Sequence, residues 1–177
     1  GAGKRISSQS SSATIPTNTV SSFDDYAFHE AETNNLIKSG RQWMGEIFDI
    51  LTSYSFTFNF PNIETFSKVY TKVEAGARRE VTIGATNFLW NAGSASSSFN
   101  VPGVTTIGPN AIYSTYYQTS SDTLTFYSLT GSIVVKIDKA TPSPAIGWLN
   151  YIEVNARRQL SMNGSQDTFG HGFVYVY

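Results

Sequence analysis

The chain of 177 residues contains no cysteine. That excludes a thiolate nucleophile, a disulfide framework and a thiolate metal site, and leaves the compartment open. Charge is also scarce. Lys and Arg number 12 against 13 Asp and Glu, and the formal net charge is -1. No basic stripe is offered to a phosphate backbone, so nucleic acid is not an expected partner. No apolar run is long enough for a helix to span a membrane. Histidine chemistry is confined to His29 and His171. The start does not read as a secretory leader, and Gly1-Ala2-Gly3-Lys4 reads as a boundary left by removal of a targeting segment. The same four residues echo the end of a phosphate-binding loop. No strand precedes them and no glycine stands five residues before the lysine, so the echo carries no site.

Aromatic side chains are abundant, at 14% of the chain. Together with few charges they do not suit a disordered polypeptide. The length fits one domain able to bury about two-thirds of its unfolded surface. Residues 1–22 are Ser/Thr-rich and read as a poorly ordered lead-in; residues 23–177 read as a single β-sandwich domain. The clearest strand runs from Tyr54 to Phe60. Tyr54, Phe56, Phe58 and Phe60 alternate with Ser55, Thr57 and Asn59, and the aromatic face is expected to look inward. Pro61 ends it. Val69, Thr71, Val73 and Ala75 alternate with Tyr70, Lys72 and Glu74. Val81 to Trp90 reads as a strand ended by Asn91-Ala92-Gly93-Ser94. Leu124 and Phe126 alternate with Thr125 and Tyr127. Thr130-Gly131 predicts a tight hairpin into Ile133, Val135 and Ile137. Trp148 to Val154 and Phe173 to Tyr177 are strand-like. Many short strands without a convincing helix predict an all-β, antiparallel β-sandwich, jelly-roll-like at this size.

No constellation for catalysis emerges. The serines lack a Gly-x-Ser-x-Gly elbow. His29, Glu30 and Glu32 could contribute to a metal site, but no second ligand cluster accompanies them; polar contacts at a strand end are the simpler reading. Asp24-Asp25 lacks the loop of oxygens that calcium needs. No cofactor is expected. Tyr113, Tyr116 and Tyr117, with Trp90 and Phe99 near another loop, are candidates for an exposed platform that stacks on sugar rings. Core packing is the competing reading for each.

The stretch Phe28-His29-Glu30 through Ser39-Gly40-Arg41-Gln42-Trp43-Met44-Gly45-Glu46-Ile47-Phe48 resembles a segment of the gingipain-family cysteine peptidases that act as sortases in type IX secretion. There an aromatic-His-Glu opening leads to Ser-Gly-Arg-x-Trp-x-Gly-Glu-x-Phe, matched here by Ser39, Gly40, Arg41, Trp43, Gly45, Glu46 and Phe48. A second block, Trp148-Leu149-Asn150-Tyr151-Ile152 through Arg158 and Leu160, resembles aromatic-Leu-Asp-Tyr-Ile-x-Val-x-x-x-Arg-x-Leu, with Asn150 where the family usually has Asp. Phe56-Thr57-Phe58-Asn59-Phe60-Pro61-Asn62 is a third. The resemblance implies a non-catalytic accessory region, because the family cleaves with a Cys/His pair and that pair would lie beyond Tyr177. It implies roles in folding, docking or cargo presentation, at the cell surface, outer membrane or periplasm of a Gram-negative member of the Bacteroidota. The implied partners are the downstream peptidase domain of the same polypeptide, secretion-system components or secreted cargo. A carbohydrate-binding module and an inhibitory N-terminal domain are the rival readings.

Residues 42–51 carry two readings. Trp43, Met44, Ile47, Phe48 and Leu51 fit a helical stripe, interrupted by Gly45. The resemblance favours a strand at 42–49, paired as a hairpin with 54–60 through Thr52-Ser53. Trp43 and Ile47 would then face the core, with Gly45 leaving room for a ring opposite. An Arg41 lying over the Trp43 face would make a cation–π contact. The matched residues of both blocks are expected to be structural.

Overall fold

The computed structural model describes residues 20–38, 42–105 and 116–161. Among them there are nine strands and no helix: β1 (Ser22–His29), β2 (Ile47–Phe48), β3 (Ser53–Asn59), β4 (Lys68–Arg78), β5 (Thr86–Ala92), β6 (Ala95–Val101), β7 (Gln118–Tyr127), β8 (Ser132–Lys139) and β9 (Ile146–Gln159). They form two antiparallel sheets. One has the order β1-β9-β4-β7, with β2 also on β9; the other has the order β3-β8-β5-β6.

β1 and β2 divide one edge of β9. β1 pairs with its residues 152–159, and β2 with Gly147 and Trp148. Counted as one interrupted strand, they complete the eight-strand path of two Greek keys that defines a jelly roll. The connections from β2 to β3, from β3 to β4, from β4 to β5 and from β6 to β9 all change sheet. Among the described residues, β5 and β6 alone form a hairpin between successive strands, turned at Gly93, whose φ is 55°.

The aromatic period of β3 is present. Phe58 and Phe60 are buried, Tyr54 and Phe56 half-buried, and Ser55, Thr57 and Asn59 exposed. In β4, Val69, Thr71, Val73 and Ala75 point into the sandwich. Phe48 joins the interior by meeting Tyr54 edge-on at 5.0 Å and Phe88 at 5.4 Å, and Phe88 stacks on Phe99. Trp90 and Phe99 are therefore core residues rather than a loop platform.

Several local expectations are corrected. The strand expected from Val81 begins at Thr86, after a turn over Val81–Ile83, and Asn91-Ala92 still belong to it. The β6 strand had no counterpart in the sequence reading. Residues 42–49 do not pair with 54–60: β2 lies on β9, and β3 pairs with β8 in the opposite sheet. The two segments meet across the core instead, through Phe48 and through the Tyr54 hydroxyl, which donates to the Ile47 carbonyl at 2.9 Å. The Thr130-Gly131 turn likewise carries the chain between sheets rather than closing a hairpin. Its reason is a close backbone approach. Phe60 N donates to Gly131 O, and a Cβ on Gly131 would stand 2.3 Å from Phe60 O. Of the lead-in expected over 1–22, residues 1–19 lie outside the described residues, as does the expected strand Phe173 to Tyr177; β1 opens at Ser22, inside that lead-in.

Candidate functional site

The two sequence blocks far apart in the chain become neighbours. Asn34 and Met44 form a bridge that closes the excursion between β1 and β2. Gly45 N then donates to Leu149 O at 2.7 Å, and Leu149 N to Glu46 O at 2.9 Å. On the other side Phe28 pairs with Glu153 and His29 with Ile152. His29 Nε2 lies 2.8 Å from Glu46 Oε1, and its ring is 4.3 Å from that of Phe56. Glu46 thus clamps the end of β1 to the start of β2 by side chain and main chain together. Its second oxygen, Oε2, is buried without a partner.

The side chains of this strip face the reverse of the expected way. Trp43 is 39% exposed and Ile47 41%, whereas Met44 and Phe48 are fully buried. Phe48 reaches the interior between the sheets, whereas Met44 is buried on the outer face, where a Cβ on Gly76 would meet its Cε at 3.1 Å. Gly45 faces no ring. An added Cβ would meet Ala31 Cβ at 3.1 Å and Leu149 O at 3.3 Å, so the glycine permits close approach of backbones. Ser39, Gly40 and Arg41 lie outside the described residues, and so does any stacking of Arg41 on Trp43.

In the second block, β9 carries a bulge. Glu74 pairs with Tyr151 and Ala75 with Leu149, so Asn150 is the extra residue. Its amide donates to Glu74 Oε1 at 2.8 Å. The bulge preserves the facing of both halves: Leu149, Ile152 and Val154 point inward, while Tyr151 and Trp148 lie on the outer face. Trp148 is buried there under Tyr116 and Tyr117, each 6.5 Å away between ring centroids. Arg78 caps Tyr116 at 4.4 Å. Burial, and then the charge of Glu74, raises the Tyr117 hydroxyl pKa. Tyr113 lies outside the described residues. Arg158 donates to Asp25 Oδ2 at 2.7 Å, and the backbone N of Leu160 to Ser21 O.

The candidate ligand groups are otherwise engaged. Asp24 pairs with Arg157 at 3.3 Å and Asp25 with Arg158, so each carboxylate already faces a guanidinium. Glu30 and Glu32 are exposed, and His171 lies outside the described residues. Among the described residues no three His, Asp or Glu side chains gather as a metal site.

Sequence reasoning missed a second feature. Along the outer face of the five-stranded sheet stand Tyr26 and Phe28 of β1, Tyr151 of β9, Tyr70 of β4 and Tyr127 of β7. Tyr26, Phe28, Tyr70 and Tyr127 are each about half exposed. Phe28 stacks on Tyr151 at 5.6 Å, and Lys72 Nζ lies 5.4 Å from the Tyr151 centroid. The Lys72 pKa is raised, first by its hydrogen bond with the Tyr151 side chain and by the charge of that group, then by the nearby carboxylates of Glu74 and Glu153. Asn155 donates to Glu153 at 2.8 Å in the row between Tyr26 and Tyr70. The signal was present in the alternation of β4 and β7, where inward Val69 and Phe126 require outward Tyr70 and Tyr127.

No protein-family model matches the chain, and no curated protein matches it in sequence. Among solved structures it is similar to dimeric latent PorU from Porphyromonas gingivalis, with a TM-score of 0.62 and 18% identity over 86% of this chain. The match covers 14% of PorU, so the chain spans a small fraction of that protein's length. Weaker likenesses are to the CBM36-1 domain of a multidomain xylanase from the hindgut metagenome of Trinervitermes trinervoides (TM-score 0.41, 11% identity, 73% of this chain and 96% of that one) and to the Cry4Aa toxin of Bacillus thuringiensis (TM-score 0.42, 10% identity, 61% and 18%). Likenesses at those scores say nothing about function.

Proposed function

We propose that this chain is a non-catalytic accessory domain of a gingipain-family, sortase-like peptidase of the type IX secretion system. It serves folding, docking or cargo presentation at the outer membrane of its cell. The observation that carries the reading is the convergence of the two blocks that resemble the family. They are separated by about a hundred residues in the chain, yet Gly45, Glu46 and Phe48 lie along Gly147, Trp148 and Leu149 in one strip. Unrelated chance matches would have no reason to meet in space. The shared fold with part of PorU supports the same reading. In this proposal the chain itself does no cleavage, since it has neither a cysteine nor a replacement nucleophile constellation. A downstream Cys/His domain removes the C-terminal sorting signal from cargo and joins the cargo to a surface lipopolysaccharide.

Two measurements test this. The polypeptide encoded after residue 177 should contain a peptidase domain with a Cys/His pair. Deleting residues 20–161 from the parent should leave cargo unprocessed at the cell envelope. A parent with no such domain, or normal processing by the deleted form, overturns the proposal. The purified chain should not hydrolyse Arg- or Lys-terminated reporter peptides.

A further inference from the structure

We propose that the outer face of the five-stranded sheet binds a neutral, extended glycan chain on the rings of Tyr26, Phe28, Tyr70, Tyr127 and Tyr151. The face is defined by strand register. One row runs Phe28, Glu153, Lys72, Thr123, and the next Tyr26, Asn155, Tyr70, Thr125. Glu74 and Ser121 flank Tyr151 on one side; Asp24, Arg157, Lys68 and Tyr127 follow on the other. Within these rows every large apolar group is an aromatic ring; Ile47 and Met44 stand apart from them, at the β2 end of the sheet. Each ring is set between hydroxyl, amide or charged side chains.

That composition selects the ligand. A protein interface depletes charge at its centre, whereas Lys72, Glu74 and Glu153 lie among these rings. A pyranose ring presents apolar C–H groups on its faces and hydroxyls on its edges. It can stack on Tyr or Phe while its hydroxyls meet Asn155, Glu153 and Lys72. Charges on the face balance: Asp24, Glu74 and Glu153 stand against Lys68, Lys72 and Arg157, and Glu64, paired with Arg157 at 3.3 Å, and Arg78 add one of each sign at its margins. A field that cancels in this way attracts neither a polyanion nor a polycation, so the fitting glycan is neutral. Tyr26 and Tyr70 flank Asn155 in one row, placing their strands about 10 Å apart. Rings separated in this way, with Phe28 and Tyr151 at one end and Tyr127 at the other, engage successive units of an extended chain rather than one isolated sugar.

The inference goes beyond the accessory-domain reading, which stands or falls on the parent's peptidase domain. Its test uses the 177-residue chain in native electrophoresis through gels containing soluble neutral polysaccharides: xylan, hydroxyethylcellulose, glucomannan and dextran. The expected result is retardation by at least one extended polymer. Tyr26→Ala and Tyr70→Ala should each weaken it about five- to tenfold in affinity. Tyr70→Phe should retain it, as should Leu89→Ala on the opposite sheet. Melting temperatures check that the exposed-ring variants fold; if Tyr70→Ala does not, Tyr127→Ala decides. Retardation by none of the four polymers overturns the proposal. So does equal retardation of the ring variants. A dimer in sedimentation that Tyr70→Ala dissociates would assign the face to a second copy instead.

Discussion

At the scale of single residues, the Met44–Trp43 pair reverses a prediction. Alternation alone could place either side chain inward. Met44, bridged to Asn34, is buried over Gly76, and Trp43 lies toward solvent. Met44→Ala is therefore expected to destabilise the fold by about 2–5 kcal/mol in denaturant melts, and Trp43→Ala by about 1 kcal/mol or less. The reverse order would restore Trp43 to the core. Arg158 is a second test. Its partner Asp25 is buried, and the ion pair is 2.7 Å long. Arg158→Ala should cost about 3 kcal/mol, because it strands a carboxylate away from water. Arg157 is more exposed and shares its guanidinium among exposed Asp24, Glu64 and the Ser22 hydroxyl, so its replacement by alanine should cost less, about 1–2 kcal/mol.

At the scale of elements, the crossings between sheets matter more than the strands themselves. The turn at Thr130-Gly131 follows β7 in one sheet and precedes β8 in the other. Gly131 lets this turn touch the end of β3. Any side chain there would collide with the Phe60 carbonyl, a main-chain group that cannot swing aside. Gly131→Ala should lower stability by about 1–3 kcal/mol, measured by thermal or urea unfolding. An unchanged midpoint would mean that β3 and the turn separate at little cost. Strand existence and facing were legible for β3, β4, β7 and β8, since each carries a clear period of two; for β9 only the strand was, because the bulge at Asn150 breaks its period. β6, with Ser96, Ser97 and Ser98 in its middle, was not. Its only large apolar residues are Phe99 and Val101, and strand pairing with β5 supplies what its own hydrophobicity does not.

At the scale of the whole molecule, the two sheets are held by their apolar interior and by a polar tie. Phe58→Ala should cost about 3–5 kcal/mol, the range for deleting a buried ring; a loss below about 1 kcal/mol would place β3 outside the core. The tie runs from Trp90 of β5, whose indole N–H donates to Asp122 of β7 at 3.0 Å. Burial pushes the Asp122 pKa up, but hydrogen bonds from Ser97, Trp90 and the Thr123 N–H outweigh it and hold the carboxyl below its ordinary value. A depressed carboxylate contributes stability above the unfolded-state pKa of 3.8, and that contribution is lost as pH falls through the folded value. Asp122→Asn should thus lower stability by about 1 kcal/mol at neutral pH, with the difference from the unmodified chain shrinking below about pH 4. A difference independent of pH would remove the carboxylate from the tie. The sequence by itself determined the all-β class, the inward rings of β3 and the absence of thiolate chemistry, because period-two patterning and composition are local properties of the chain. Only the tertiary structure decided that β2 lies on β9, that successive strands change sheet, and that five rings from four strands share one outer face. Those outcomes depend on which distant strands pair across a common core, and no local period encodes that choice.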